Sequence, residues 1–240
     1  MKKIMRFAVL SILCSFSFVS QAQESSSLPD GFTNGNIVWI IRTGVSLNNV
    51  SGSGVDETKT NWADQKCYGE YKNLFGGNLS FGLYSPLGSS PVYIGTYFSV
   101  DMRGFKTSAK WKDGSSYLTS QSTRLTAFNA HVSPLSIGYI AKLSKNTALD
   151  LHIGTFFSCD FAGSYKTEME NSDNTKVSAS DDISDLEDYN KYDVGLNGGI
   201  GLWYNHWGID LKYQRGISSI FKGGKDYFSN NIQLSLGYAF

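Results

Sequence analysis

Eight stretches of the chain alternate between apolar and polar residues, and this period of two predicts β-strands. Each is close to the roughly 9 to 11 residues that a tilted strand needs to cross a membrane. No stretch has the sustained spacing of three and four residues expected of an amphipathic helix. The pattern therefore predicts an all-β domain. The eight stretches begin at Asn36, Asn78, Val92, Thr126, Leu149, Tyr192, Trp207 and Asn231.

The connections between these stretches alternate in length. Those after the second, fourth and sixth are short and read SPLGSS, SKNT and NH, while the other four are long and polar. Short turns on one side and long loops on the other are typical of an outer-membrane barrel with an even number of strands. The sequence therefore predicts an eight-stranded antiparallel up-and-down transmembrane β-barrel, with both termini in the periplasm. A soluble lipocalin-like barrel is the alternative.

The two faces of the sixth and seventh strands discriminate between these barrels. A two-residue turn at Asn205 and His206 pairs Ile200 with Leu211 on one face and Gly201 with Asp210 on the other. One face is then apolar and the other carries the charges and glycines. A membrane barrel turns the polar face inward, and glycine leaves room there for charged side chains. The predicted interior polar network consists of Arg42, Asp101, Arg103, His131, Asp150, Asp160, Asp193, Asp210 and Lys212.

Pro134 interrupts the alternation of the fourth strand, whose apolar residues change parity on either side of it. Proline within a ladder belongs at a bulge or an edge, and a closed barrel has no edge, so we expect a β-bulge over 133–135. Counted from the following turn, the bulge would bring Lys142 opposite Asp150 and His131 opposite Asp160.

The first residues predict the compartment. Residues 1–22 combine a basic start, an apolar core and the small-x-small sequence Ser20-Gln21-Ala22, which is typical of a cleaved secretory signal peptide. We expect residues 23–35 to form a short periplasmic segment and residues 36–240 the barrel. Without its signal the chain has 18 basic and 21 acidic residues. This balance gives no nucleic-acid-binding footprint.

Two segments carry a family resemblance. The segment from Tyr192 to Ile220, followed by NNIQLSLGYAF, resembles the last three strands of the porin-like outer-membrane β-barrel domain family, and HVSPLSIGYIAKL resembles its central strand. The resemblance implies an eight-stranded barrel in the outer membrane, surrounded by its lipid. It also implies that Tyr238 and Phe240 form a terminal signal read by the barrel-assembly machinery. It transfers no functional residues, because most members have no assigned activity.

Few residues suggest chemistry. His131 and Ser133 have the spacing found in some lipid A deacylases, with Asp160 as a possible acidic partner, but a structural polar pair is the simpler interpretation. His131 and His152 lie far apart along neighbouring strands and His206 lies in a turn, so we predict no metal site. No cofactor is expected either. The acidic stretch from Gly163 to Asn190 could bind calcium, although a solvated loop is the simpler interpretation.

Two further features concern the ends of the barrel. Cys67 and Cys159 fall in connections or strand ends on the same side and could form a disulfide in an oxidising compartment. An aromatic girdle is expected at the periplasmic rim. Its members would be Tyr84, Tyr93, Tyr139, Tyr204, Trp207, Tyr238 and Phe240.

Three functions fit these predictions. The first is a non-enzymatic integral outer-membrane barrel whose surface loops contact an unknown extracellular ligand or protein, or stabilise the envelope. The second is a small passive porin-like channel, although the interior of eight strands leaves room only for side chains. The third is a lipid A-modifying enzyme that uses His131 and Ser133.

Overall fold

The computed structural model describes residues 28, 29, 32, 35–111 and 118–240 of the chain. This part contains ten β-strands and a helix of three turns. They are β1 (Val38–Ser51), α1 (Ser53–Asp64), β2 (Cys67–Lys72), β3 (Leu74–Pro86), β4 (Val92–Trp111), β5 (Leu118–Lys142), β6 (Thr147–Asn171), β7 (Lys176–Asp182), β8 (Tyr192–Tyr204), β9 (Trp207–Ser219) and β10 (Phe228–Ala239).

The sheet closes on itself, because β1 pairs antiparallel with both β3 and β10. Around the ring the order is β1, β3, β4, β5, β6, β8, β9 and β10. The two further strands, β2 and β7, are not members of the ring. β2 pairs with the part of β4 that extends past β3, and β7 pairs with the far end of β6. The prediction of an all-β antiparallel up-and-down barrel is confirmed.

The polarity of the wall is inside-out, as the pairing of the sixth and seventh stretches predicted. β8 and β9 have the expected register, with Gly201 opposite Asp210 and Ile200 opposite Leu211. Leu211 is 49% exposed on the outer surface, whereas Asp210 is 3% exposed inside. The soluble lipocalin-like alternative is therefore wrong, because it requires the opposite arrangement.

The outer surface carries a continuous apolar band. One row of paired residues runs from Ile200 through Leu211 and Leu234 to Val45, and all four side chains are between 45% and 59% exposed. An apolar surface of this extent on a closed barrel is the surface that lipid covers. Among the described residues, no helix is long and apolar enough to cross a membrane.

The predicted β-bulge is confirmed, since the registers of β5 with both of its neighbours shift between Val132 and Ser136. The pairings counted from it are wrong. Ile140 lies opposite Asp150, and Lys142 lies opposite Ala148 at the exposed rim. His131 lies opposite Ser158, two residues from Asp160. The count failed because β5 and β6 pair Lys142 with Ala148, two residues before the partner assumed.

We call the end with the three short connections the turn end and the opposite end the loop end. The turn end is closed by an apolar cluster, the turn-end plug. Trp203 lies at its centre, 1% exposed, and Phe32 of the N-terminal segment packs against it edge-on at 5.4 Å. The other members are Leu28, Val38, Ile40, Tyr84, Tyr93, Ile140, Ala148 and Ala239.

A second apolar cluster, the loop-end plug, closes the other end. Its members come from strands, from α1 and from the connections. The sequence predicted no helix, because α1 is only weakly amphipathic. The helix is held by Val55, which is buried in the plug, and by Tyr227, which lies over Gly54. The buried members are Val50, Val55, Phe105, Leu125, Ala127, Ile183, Tyr189 and Ile220.

Strands β4, β5 and β6 run past the apolar band, with 20, 25 and 25 residues. Together with β2 and β7 they form a five-stranded extension in the order β2, β4, β5, β6, β7, which we call the protruding sheet. The expected acidic loop from Gly163 to Asn190 is therefore largely a β-hairpin. The predicted signal peptide, residues 1–22, lies outside the described residues, and the division at residues 22 and 35 stays a prediction.

Candidate functional site

Alternating residues of the ring strands point a buried polar network into the barrel. The structure places all nine residues predicted for this network on the inner face, and each is at most 8% exposed. Side chains meet across the bore because Gly199 and Gly201 of β8 leave space between β6 and β9. The network has three tiers between the two plugs.

The tier nearest the loop end centres on Arg103. Its guanidinium donates to both carboxylate oxygens of Asp160 at 2.6–3.0 Å and to Oδ2 of Asp193 at 3.0 Å. Asn129 donates to Asp160 at 2.9 Å, and the Tyr189 hydroxyl donates to the same carboxylate. Tyr189 lies in the connection beyond β7, where burial raises the pKa of its phenol and Asp160 raises it further. This tier therefore ties a loop to the barrel wall.

The middle tier contains His131 and Asp101. Nδ1 of His131 lies 3.2 Å from Oδ2 of Asp101, and the ring also contacts the Ser99 hydroxyl. Gln233 donates to Asp101 at 3.2 Å. Lys212 lies 4.7 Å from the centre of the Tyr97 ring, within the range of a cation–π interaction. These contacts hold His131 and Asp101, whereas the Tyr97 hydroxyl and both amide atoms of Asn197 make no hydrogen bond to any described residue.

The tier nearest the turn end is built around Asp150, which is fully buried. Tyr93 donates to its Oδ1 at 2.7 Å and Tyr84 to its Oδ2 at 3.2 Å. Arg42 donates to the Tyr84 hydroxyl at 2.5 Å and lies 3.7 Å from Asp150. Asp210 also belongs to this tier.

His131 and Ser133, the residues of the enzyme hypothesis, do not contact each other. Ser133 lies in the bulge and donates to the backbone oxygen of Thr155 at 2.6 Å. His131 instead contacts Ser99 and Asp101, and Asp160 is bound by Arg103. Both residues lie on the inner face, in regular register with Ser99 and Tyr97 of β4, but their side chains have different partners.

Two assignments from the sequence need correction. Tyr84 and Tyr93 are not in the aromatic girdle: they stack inside the barrel with ring centres 4.0 Å apart and are 3% and 1% exposed. His152 was set aside, although it is buried 3.6 Å from Asp150 and 3.8 Å from Asp210. The signal available in the sequence was its spacing of two residues from Asp150, which puts both on the inner face.

Cys67 and Cys159 are free thiols in the structure, so the disulfide that the sequence allowed is not formed. Cys67 pairs with Trp111 of β4, whereas Cys159 aligns through Ala130 with Val100 of that strand. These two positions on β4 are roughly 35 Å apart at the rise of a β-strand. A disulfide needs Cα atoms within about 7 Å.

Tyr238 and Phe240 lie at the turn end of β10, the strand that closes the ring. Tyr238 is 7% exposed because the rings of His206, Trp207 and Phe240 surround it. Phe240 is 56% exposed on the outer surface. The two aromatic rings therefore form part of the outer rim.

Comparison with known proteins gives a family and several structures of similar fold. The model of the outer membrane protein β-barrel domain matches residues 21–222. The chain is similar to Ail of Yersinia pestis, with 17% identity over 85% of this chain and 99% of that chain and a TM-score of 0.37. A major outer membrane protein of Thermus thermophilus has 12% identity over 85% of this chain and 100% of that chain, with a TM-score of 0.44. No curated protein matches the sequence.

Proposed function

We propose, from the premise that this chain belongs to the outer membrane protein β-barrel domain family, that it is a non-enzymatic anchor that presents the protruding sheet to an external partner. The protein resides in the bacterial outer membrane. The observation that carries the proposal is the length of β5 and β6. Each has 25 residues, more than twice the roughly 9 to 11 that cross the membrane.

The residue composition of the protruding sheet supports the proposal that this sheet lies in water, outside the membrane. Its outer parts lack the apolar band of the barrel wall and carry mostly charged and hydroxyl side chains. Every residue of β7 is exposed. The charged residues of the sheet include Lys106, Lys110, Arg124, Lys166, Glu168, Glu170 and Lys176.

The free edge of β7 supports recognition of an extended polypeptide. Within the described part of the chain, β7 pairs with β6 and with no other strand. An unpaired edge offers backbone N–H and C=O groups to a strand of another protein. Acidic residues lie at the end of β7 and just after it, at Asp181, Asp182 and Asp185, so the preferred partner strand is basic.

The two plugs support an anchor in preference to the porin-like alternative. Aromatic and aliphatic side chains fill the bore at both ends, and Arg103 is held in the bore by two carboxylates. A conducting path would require both plugs to open. In a planar bilayer we therefore expect the pure protein to give no discrete conductance steps, whereas regular steps would favour the channel.

The different partners of His131 and Ser133 support a protein without lipid-modifying activity. Ser133 donates its hydroxyl hydrogen to the Thr155 carbonyl, which is not a general base. We expect lipid A to keep the same acyl composition when the protein is expressed. Loss of an acyl chain that depends on His131 would contradict this proposal.

Single cysteines can test the orientation, in a background in which Cys67 and Cys159 are replaced by alanine. A membrane-impermeant maleimide should label Ser178→Cys in β7 on intact cells. It should label Ser89→Cys, in the connection before β4, only after the outer membrane is permeabilised. The opposite pattern would place the protruding sheet in the periplasm.

Photo-crosslinking tests the partner. A photoreactive residue at position 178 should crosslink to a polypeptide, and Ala179→Pro should abolish this by disrupting the edge. The matched control is the same residue at position 137, which faces lipid. Identical protein crosslinks from both positions would contradict recognition through β7.

We also infer that Tyr238 and Phe240 form the signal for the barrel-assembly machinery, as the family resemblance implies. Their position at the end of β10 supports this role, because β10 pairs with β1 to close the ring. Deleting Phe240 should reduce the amount of folded protein in the membrane, with Phe161→Ala on the outer face as control. Equal amounts for both variants would contradict the inference.

A further inference from the structure

The turn-end tier holds one group of side chains whose geometry suits a metal ion. Asp150 and His152 lie two residues apart on β6, and Asp210 faces them from β9 across Gly199 and Gly201 of β8. One ligand atom from each of the three lies within 4.8 Å of the others, and all three residues are buried. We call this group the Asp–His–Asp cluster.

We propose that the Asp–His–Asp cluster binds one divalent first-row transition-metal ion of the Zn²⁺ type. Imidazole and carboxylate are the donors that Zn²⁺ takes at about 2.0–2.2 Å, which puts two donors on one ion about 3.3 Å apart. Nδ1 of His152 lies 3.6 Å from Oδ2 of Asp150, close to that spacing, whereas Oδ2 of Asp210 lies 3.8 Å from the other ring nitrogen, Nε2. An imidazole gives one ion a single nitrogen, so the Asp210 carboxylate must rotate toward Nδ1 to complete the site. A site with a histidine favours such an ion over Ca²⁺ and Mg²⁺, which prefer oxygen ligands.

Two of the ligand groups have unpartnered polar atoms. Nδ1 of His152 and Oδ2 of Asp210 make no hydrogen bond to any described residue, although His152 is 5% exposed and Asp210 is 3% exposed. A buried polar atom without a partner costs about 1–3 kcal/mol. An ion held between β6 and β9 would give both atoms a partner.

The third ligand is already oriented by its neighbours. Tyr93 and Tyr84 donate to the two oxygens of Asp150, and Arg42 donates to Tyr84. Ligating carboxylates are commonly fixed by such outer partners. The space itself depends on glycine, because a Cβ at Gly199 would lie 2.5 Å from Nε2 of His152 and one at Gly201 would lie 3.3 Å from Oδ2 of Asp210.

The charge of the bore is consistent with a dication. The buried ionic groups of the described residues are three cations and five carboxylates, an excess of two carboxylates. Buried charge is costly unless it is compensated. One divalent ion would balance it. The five carboxylates are Asp101, Asp150, Asp160, Asp193 and Asp210, and the three cations are Arg42, Arg103 and Lys212.

The location gives the ion a structural role. The cluster lies next to the turn-end plug, on the side that faces the middle of the bore. A Cβ at Gly201 would contact Nε1 of Trp203 at 3.5 Å. Because apolar clusters close the bore at both ends, an ion bound here would have to enter before the barrel closes. The metal content would therefore be set during folding.

The test is to refold the full chain from urea into detergent micelles with Zn²⁺, and to measure bound zinc by mass spectrometry after gel filtration in chelator. We expect about one zinc per chain for the wild type and less than about a tenth for His152→Ala and Asp210→Asn. His206→Ala is the matched control and should retain zinc. Heat-modifiable gel mobility identifies folded protein in every sample.

Two further measurements test metal binding even if one of these variants does not fold. Co²⁺ should give visible ligand-field absorption bands in the wild type, and Tyr93→Phe should weaken binding about 10- to 100-fold because it removes an outer partner of Asp150. Folded wild-type protein without zinc or a cobalt spectrum would overturn the proposal. So would folded His152→Ala that binds as much zinc as the wild type.

Discussion

The two plugs close the same barrel in different ways. At the turn end the connections are too short to reach into the bore, so residues of the ring strands fill most of it, with Trp203 and the stacked Tyr84 and Tyr93 as the largest, and Leu28 and Phe32 of the N-terminal segment complete it. At the loop end the bore is filled partly by α1 and by long connections, which contribute Val55, Ile183 and others. The turn-end plug is therefore built mainly from the barrel wall, while the loop-end plug depends more on α1 and the connections folding back onto it.

From this difference we expect the turn end to contribute more to stability and the loop end to adjust more easily to a substitution. Strand residues in the bore are fixed by the register of their neighbours, and changing one leaves a cavity that cannot collapse. Connections can move to fill part of a gap. We expect larger losses at the turn end than at the loop end.

The largest effect is expected for Trp203→Ala. This change removes the centre of the turn-end plug and its contacts with Phe32 and Arg42, and should lower the free energy of unfolding by about 3–5 kcal/mol. Urea titration in lipid vesicles measures it. Tyr204→Ala, on the outer surface of the same strand, should cost clearly less, and an equal loss would contradict a packed plug at the turn end.

Ile183→Ala tests the loop-end plug. Ile183 is 1% exposed and packs over Gly163, so its loss should lower the free energy of unfolding by about 2–4 kcal/mol, less than for Trp203→Ala. The control is Val177→Ala in exposed β7, for which we expect a change within about 0.5 kcal/mol. If Ile183→Ala were the more destabilising of the two plug variants, the ranking of the ends would be reversed.

Gly199→Ala tests the space between the plugs. A Cβ there would lie 2.5 Å from His152, so the side chains must shift, at a cost of about 1–3 kcal/mol. At Gly198, on the outer face, the nearest atoms would lie 3.5 Å away. In the same titration, Gly198→Ala should change the free energy of unfolding very little. Equal losses for the two variants would show that the space around Gly199 inside the barrel is not crowded.

The smallest effect is expected for Tyr189→Phe, which removes the hydroxyl that ties the loop-end plug to Asp160. It should cost about 1.5 kcal/mol at neutral pH. Because the pKa of Tyr189 is raised in the fold, its contribution is complete below a pH of about 10, the unfolded value, and decreases as the pH rises further. The free energy of unfolding should therefore fall less steeply above this pH in the variant than in the wild type.

The barrel could be predicted because a strand with lipid on one face and the bore on the other requires apolar and polar residues to alternate along the sequence. Residues such as Ile209 and Leu211 alternate with Asp210 and Lys212, and a two-residue turn leaves one register that keeps both charges out of lipid. The bulge at Pro134 was predictable for a similar reason, since proline cannot donate to the ladder. These signals are local.

The pairing inside the barrel was harder to predict. His131 was expected beside Asp160 and lies against Asp101, because an error of two residues in one register changes every partner across the bore. Tyr84 and Tyr93 were assigned to the rim, since an aromatic residue near a strand end has the same sequence signal whether it points in or out.

The sequence by itself determined a closed inside-out barrel, because a period of two with alternating connection lengths leaves few other ways to satisfy the backbone in lipid. Only the tertiary structure decided which polar side chains meet, that α1 and the connections fill the loop end, and that Asp150, His152 and Asp210 converge. The physical reason is distance along the chain. Alternation is set by adjacent residues, whereas these contacts join strands separated by tens of residues and depend on the register of every strand between them.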